Sequence, residues 1–164
     1  MNKQGIGILA TGHYLPQTIQ TNEALCGMID GLTTEWIIAK TGIKRRYHVA
    51  ADETATSMAM QASENAIARA AIETKEIGLV MVASFSQDYL FPPLSAKIHS
   101  LLSLPKACQI LDINTNCVGL VTALTIASER MQHDDTIKYA LVIGVEVLSK
   151  FTDQKDQDTS IFFS

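Results

Sequence analysis

The chain has 164 residues, 47% of them hydrophobic and 18% charged, with a formal net charge of −4. That length suits one domain with a sizeable core, and the composition excludes a disordered chain. The one basic cluster, Lys44, Arg45 and Arg46, is too short for a nucleic-acid footprint, and no apolar run approaches the roughly 20 residues of a membrane span.

Three cysteines without metal-type spacing imply a reducing compartment. The four histidines are scattered, so no metal centre is expected. The N-terminal stretch has too little charge and too short an apolar run for a signal peptide. The expectation is a soluble cytoplasmic protein.

In chain order, residues 6–15 suggest a first strand, closed by Pro16. Gly5, Gly7 and Gly12 have neither the spacing nor the following helix of a dinucleotide-binding loop, so that reading is rejected. Residues 21–29 suit a short helix capped by Thr21 or Asn22 and broken at Gly31. Thr33 or Thr34 caps a second, running through Lys40 and ended at Gly42. This helical insert, about residues 17–50, carries the only tryptophan, Trp36, beside Lys40, Lys44, Arg45 and Arg46. An aromatic face beside cations can bind an anionic, aromatic ligand such as a nucleotide. The plainer alternative is a tryptophan packed in a small insert among solvated charges.

Residues 54–73 give the clearest helix, with Ala55, Met58, Ala59, Ala62 and Ala66 on one apolar stripe. Residues 79–85 form a continuous apolar run, as expected of a strand buried on both faces. A loop over 87–93 holds Tyr89, Phe91 and the breakers Pro92 and Pro93, and residues 94–102 read as a third helix. Residues 108–113 are a strand and 118–131 a helix by period, joined by the turn and cap residues Asn114, Thr115 and Asn116.

Cys117 therefore falls in the first turn of a helix. A helix N-terminus offers unpaired N–H groups and about half a positive charge. Both favour the nucleophilic thiolate, and the N–H groups can hold an oxyanion. The competing reading is a small, buried core cysteine.

Residues 138–148 form another buried strand. Glu146 within it needs a position near the end, or a partner. Residues 150–158 are loop-like and 159–163 begin a further strand. The alternation of strands and helices implies an α/β layered fold with a mostly parallel sheet and helices on its faces. A strand breaking off at Phe162 and Phe163 leaves an apolar edge, a poor natural end.

Several segments together resemble the N-terminal half of the β-ketoacyl-acyl carrier protein synthase III family, condensing enzymes of thiolase-like fold. They are Gly12-His13-Tyr14-Leu15-Pro16, Glu35-Trp36-Ile37 with Thr41-Gly42-Ile43, Phe91-Pro92, Asn116-Cys117-Val118-Gly119, and the run from Lys138 to Gly144. The resemblance implies one thiolase-like half over residues 1–164, with the C-terminal half absent. It implies that Cys117 accepts an acyl group from a thioester, of coenzyme A or acyl carrier protein. Decarboxylative Claisen condensation with malonyl-acyl carrier protein would follow, without a resident cofactor. By resemblance Trp36 stacks on the coenzyme A adenine, and Lys40 stands where many relatives carry arginine. Phe91 matches a residue that family dimers send across the subunit interface; its plainer reading is a loop anchor in its own core.

The family's catalytic His and Asn belong to its second half, and none of His13, His48, His99 or His133 matches that His. The resemblance thus implies a chain that is incomplete alone and associates as a homodimer or with a complementary C-terminal chain. Two alternatives stay open: a non-catalytic partner or scaffold subunit, and a hydroxymethylglutaryl-CoA-type synthase sharing the loading step.

Overall fold

The computed structural model describes residues 5–163; residues 1–4 and 164, the ends of the expected domain, lie outside the described residues. The chain divides into two compact units. One comprises the segment up to Tyr14 with Ala55–Glu146, and the other Leu15–Thr54 with the chain from Val147 onward.

The first unit is built on three parallel strands, β3 (Ile77–Ala83), β4 (Gln109–Ile113) and β5 (Tyr139–Gly144), in the order β4-β3-β5. Helices α4 (Leu94–Leu101) and α5 (Gly119–His133) make the two crossovers. The first crossover steps one way from β3 and the second returns across it, so right-handed connections put the helices on opposite faces. Leu79, Met81 and Ala83 of β3 pack with Ala123 and Ala127 of α5. Val80 and Val82 point the other way and are fully buried. The central strand is thus covered on both faces, which explains its unbroken apolar sequence.

Helix α3 (Ala55–Ala70) buries Ala55, Met58, Ala59 and Ser63. Its small-residue stripe also admits the N-terminal segment: a Cβ on Gly12 would lie 2.1 Å from the Ala62 carbonyl oxygen and 2.4 Å from the Ala66 nitrogen. Residues 6–15, expected as a strand, form no strand. Their backbone is held by side chains of α3 instead: Asn65 Nδ2 donates to His13 O at 3.1 Å and Arg69 Nη1 to Thr11 O at 3.2 Å. Ile8 is left 71% exposed.

The second unit contains the expected insert, but it is not purely helical. Strands β1 (Thr18–Thr21) and β2 (Arg45–His48) pair antiparallel and frame helices α1 (Asn22–Cys26) and α2 (Thr34–Thr41). The caps are as the sequence suggests: Thr21 accepts from Ala24 N–H, Thr33 accepts from Trp36 N–H, and Gly42 ends α2 at φ 71°. Residues 159–163 are not a strand. Asp156 caps a short helix α6 (Gln157–Ser160), and Ile161 packs with Leu25, Leu32 and Ile37. Arg46, expected among solvated charges, is 2% exposed. Its Nε donates to Ile161 O at 3.1 Å and its Nη1 to Asn22 Oδ1 at 2.9 Å.

Candidate active site

The carboxyl ends of the parallel strands are where α/β sheets present ligand sites, and Cys117 lies just past the carboxyl end of β4. After Ile113 the chain turns through Asn114 and Thr115, and Asn116 adopts the left-handed conformation at φ 51°. A 3₁₀ turn over Asn116–Val118 then leads into α5. The expected helix therefore begins one residue late, and Cys117 belongs to the turn that feeds it. Neither Thr115 nor Val118 makes a side-chain cap bond among the described residues. Cys117 is exposed, which rules out the buried-core reading for this cysteine. That reading describes Cys108 instead, where burial pushes the thiol pKa up.

Two glycines seat the first turn of α5. A Cβ on Gly119 would come within 3.0 Å of the Ala83 Cβ, and one on Gly144 within 3.2 Å of the Leu120 Cβ. The helix start therefore rests against the ends of β3 and β5 at a distance that larger residues would not allow. Beyond it Val118, Leu120 and Val121 are exposed, Val121 by 66%. An open apolar face thus adjoins the thiol along α5.

Phe91 belongs to the same unit. It is 85% exposed, so it is no anchor in the core of its own unit. The preceding loop is fixed by Asp88, whose oxygens accept from Ala55 N–H and Thr56 N–H, both at 2.9 Å. Lys97 Nζ lies 3.7 Å from the Tyr89 ring centroid.

Trp36 and Lys40 belong to the other unit, one turn apart on α2. Lys40 Nζ is 5.9 Å from the Trp36 ring centroid, and Trp36 is 36% exposed while its neighbour Ile37 is fully buried. The structure thus brings Trp36 and Lys40 together as an aromatic–cation pair on an accessible helix face.

Glu146 carries a role that the sequence only hinted at. It lies two residues beyond β5, and its carboxylate accepts from Phe85 N–H at 3.2 Å and from the Ser86 hydroxyl. Burial pushes its pKa above the ordinary glutamate value, and the bonds from Ser86 and Phe85 oppose that shift. Asn116, expected as a turn or cap residue, takes a left-handed backbone, which suits asparagine, the side chain other than glycine that best tolerates it. His99 and His133 are bonded to the carbonyls of Pro105 and Glu129. Among the described residues, no group of three or more His, Cys, Asp or Glu side chains could hold a metal ion, and no helix is long and apolar enough to cross a membrane.

A profile of the family described as 3-oxoacyl-[acyl-carrier-protein (ACP)] synthase III matches residues 111–164. The β-ketoacyl-[acyl-carrier-protein] synthase III of Escherichia coli (strain K12) is 38% identical over 156 residues, 95% of this chain and 48% of that protein. The chain matches the N-terminal half of a synthase III. The crystal structure of the Aquifex aeolicus VF5 synthase III superposes with a TM-score of 0.90 at 34% identity, covering 98% of this chain and 51% of that one. The priming β-ketosynthase of the R1128 polyketide biosynthetic pathway gives 0.88 at 30% identity, covering 96% and 46%. The fold is therefore thiolase-like, and the chain spans about half the length of the curated relatives it matches.

Proposed function

We propose that this chain supplies the acyl-accepting half of a β-ketoacyl-acyl carrier protein synthase III-like condensing enzyme. The single observation that carries the reading is Cys117, exposed on a helix start at the carboxyl end of a parallel sheet, in a chain that matches half of a synthase III. The Cys117 thiolate attacks the thioester carbonyl of an acyl donor, and the N–H groups of the turn stabilise the oxyanion. The donor thiolate leaves and the acyl group remains on Sγ. Malonyl-acyl carrier protein then loses carbon dioxide. Its carbanion attacks the acyl carbonyl, releasing the Cys117 thiolate and a β-ketoacyl product. By family resemblance, the His and Asn that polarise the malonyl thioester belong to the second half.

In this reading Trp36 stacks on the coenzyme A adenine and Lys40 pairs with its phosphates. No resident cofactor takes part, the substrates being thioesters. The exposed Phe91 and the apolar face along α5 support association, with a second copy or with a complementary C-terminal chain. The setting is the cytoplasm, where cysteines stay reduced.

Intact-protein mass spectrometry after incubation with acyl-CoA and acyl-carrier donors tests the reading. A donor-specific mass gain, lost in Cys117→Ala, is expected, with the complementary half added if the isolated chain does not load. No gain in either setting would overturn the acyl-acceptor role and leave a scaffold subunit.

A further inference from the structure

No step of the proposed reaction uses Glu146, yet it lies at the end of a connected set of bonds that leads to the nucleophile's turn. The last rung between β3 and β5 is Val145 N–H donating to Ala83 O at 3.1 Å. Beyond that rung the side chain of Glu146 takes over the pairing. One carboxylate oxygen accepts from Phe85 N–H at 3.2 Å and the other from the Ser86 hydroxyl. Ser86 N–H donates to Ser84 Oγ at 3.3 Å, and Ser84 N–H donates to Ile113 O at 3.1 Å. Ile113 is the last residue of β4, four positions before Cys117. The set thus ties the ends of β5, β3 and β4 together. Ala83, against which Gly119 packs, lies within it.

We propose that Glu146 is a positioning residue for Cys117: by binding Phe85 and Ser86 it locks the carboxyl ends of the sheet and so fixes the turn that carries the thiol. This rests on the reading of Cys117 as the acyl acceptor. A carboxylate suits the task because its bond from a hydroxyl is charge-assisted and stronger than a neutral one. It also accepts at both oxygens, so Phe85 and Ser86 are held by one group. Glutamine keeps one acceptor oxygen and can offer an amide proton to Ser86, so it retains part of the lock. Alanine retains none.

The experiment is iodoacetamide labelling of the 164-residue protein, read for each cysteine by peptide mass spectrometry, with Glu146→Ala, Glu146→Gln and Ser86→Ala alongside. Glu146→Ala and Ser86→Ala should slow Cys117 labelling on the order of tenfold, and Glu146→Gln should recover most of the rate. Labelling of Cys26, which belongs to the other unit, should not change. Wild-type Cys117 labelling in Glu146→Ala, with Cys26 unchanged, overturns the proposal. If Glu146→Ala unfolds, seen as a rise at buried Cys108, Ser86→Ala decides by the same criterion. Acyl loading of the unsubstituted protein, alone and with the complementary half added, is measured in parallel. Loading absent while labelling responds removes the acyl-acceptor reading and keeps the Glu146 role; loading present while labelling is indifferent does the reverse.

Discussion

Asp88 caps a helix it does not belong to: from the loop after β3 it accepts from both the backbone N–H and the hydroxyl of Thr56, in the first turn of α3. Burial raises its pKa, but the bonds from Thr56 and Ala55 and the charge of Lys97 outweigh it, and the net value lies below the ordinary aspartate range. A depressed folded-state pKa contributes stability above the unfolded value, about 3.9, and loses it as pH falls through the folded value. Asp88→Ala should therefore cost about 0.5–2 kcal/mol at neutral pH. Urea melts of both proteins at decreasing pH should show the difference closing under acid conditions.

The backbone at Asn116 sets a second expectation. Asn116→Gly should fold with nearly wild-type stability, because glycine accepts a φ of 51° freely. Asn116→Val should lose about 1–2 kcal/mol, the cost of a left-handed conformation for a side chain that cannot bond locally. Denaturant midpoints measure both, and acyl loading should fall only in the valine variant.

The contact between Gly119 and Ala83 gives a third. Gly119→Ala improves helix propensity by about 1 kcal/mol, but its Cβ would meet the Ala83 Cβ at 3.0 Å. The net result should be a loss of about 1–2 kcal/mol from overpacking. Ala83→Gly makes room, so the double variant should be more stable than the sum of the two single effects. A double-mutant cycle by urea unfolding reads the coupling directly.

Arg46 supplies a fourth. Its buried guanidinium serves the Ile161 carbonyl and Asn22 Oδ1, and among the described residues no carboxylate pairs with it. Arg46→Met removes the donors and leaves those buried acceptors unpaired, at about 2–4 kcal/mol. Arg46→Lys keeps the charge but cannot reproduce the fork, so it should recover only part of the loss. Thermal melts of the three proteins check the order.

A fifth concerns donor recognition. Trp36→Ala should raise the acyl-CoA concentration needed for half-maximal loading of Cys117 by about threefold to tenfold, leaving loading from acyl carrier protein unchanged. Equal effects on both donors would remove coenzyme A stacking from the role of Trp36.

What was legible in the sequence follows from where the signal is local. The caps Thr21 and Thr33, the terminator Gly42, the stripe of α3 and the apolar run of β3 each depend on residues close in the chain, and each was readable. Strands β1 and β2, with sequences TIQT and RRYH, are short and polar. Only their mutual pairing makes them strands, and no periodicity announces it. Residues 6–15 and 159–163 look strand-like by composition, yet a strand needs a neighbour. The first lies on α3 through the bare backbone of Gly12, and the second begins in the helix capped by Asp156 and leaves it in a turn at Ile161. The same limit applies to the site. The exposure of Phe91 and the bonds of Glu146 depend on contacts between distant segments. The burial of Arg46 rests on Ile161, 115 positions away, so its neighbours in the chain show only a basic cluster that could bind an anion or be solvated.

That separation has a consequence for synthesis. At roughly 5–20 residues per second, the ribosome delivers Ile161 some 6–23 s after Arg46, as 115 positions divided by that rate. In that interval the antiparallel pair β1 and β2 can form, but the Arg46 guanidinium lacks its Ile161 carbonyl. The intervening segment, with all three strands of the parallel sheet, emerges first. Synthesis thus delivers every strand of the sheet bearing Cys117 before the unit bearing Trp36 can close around Arg46.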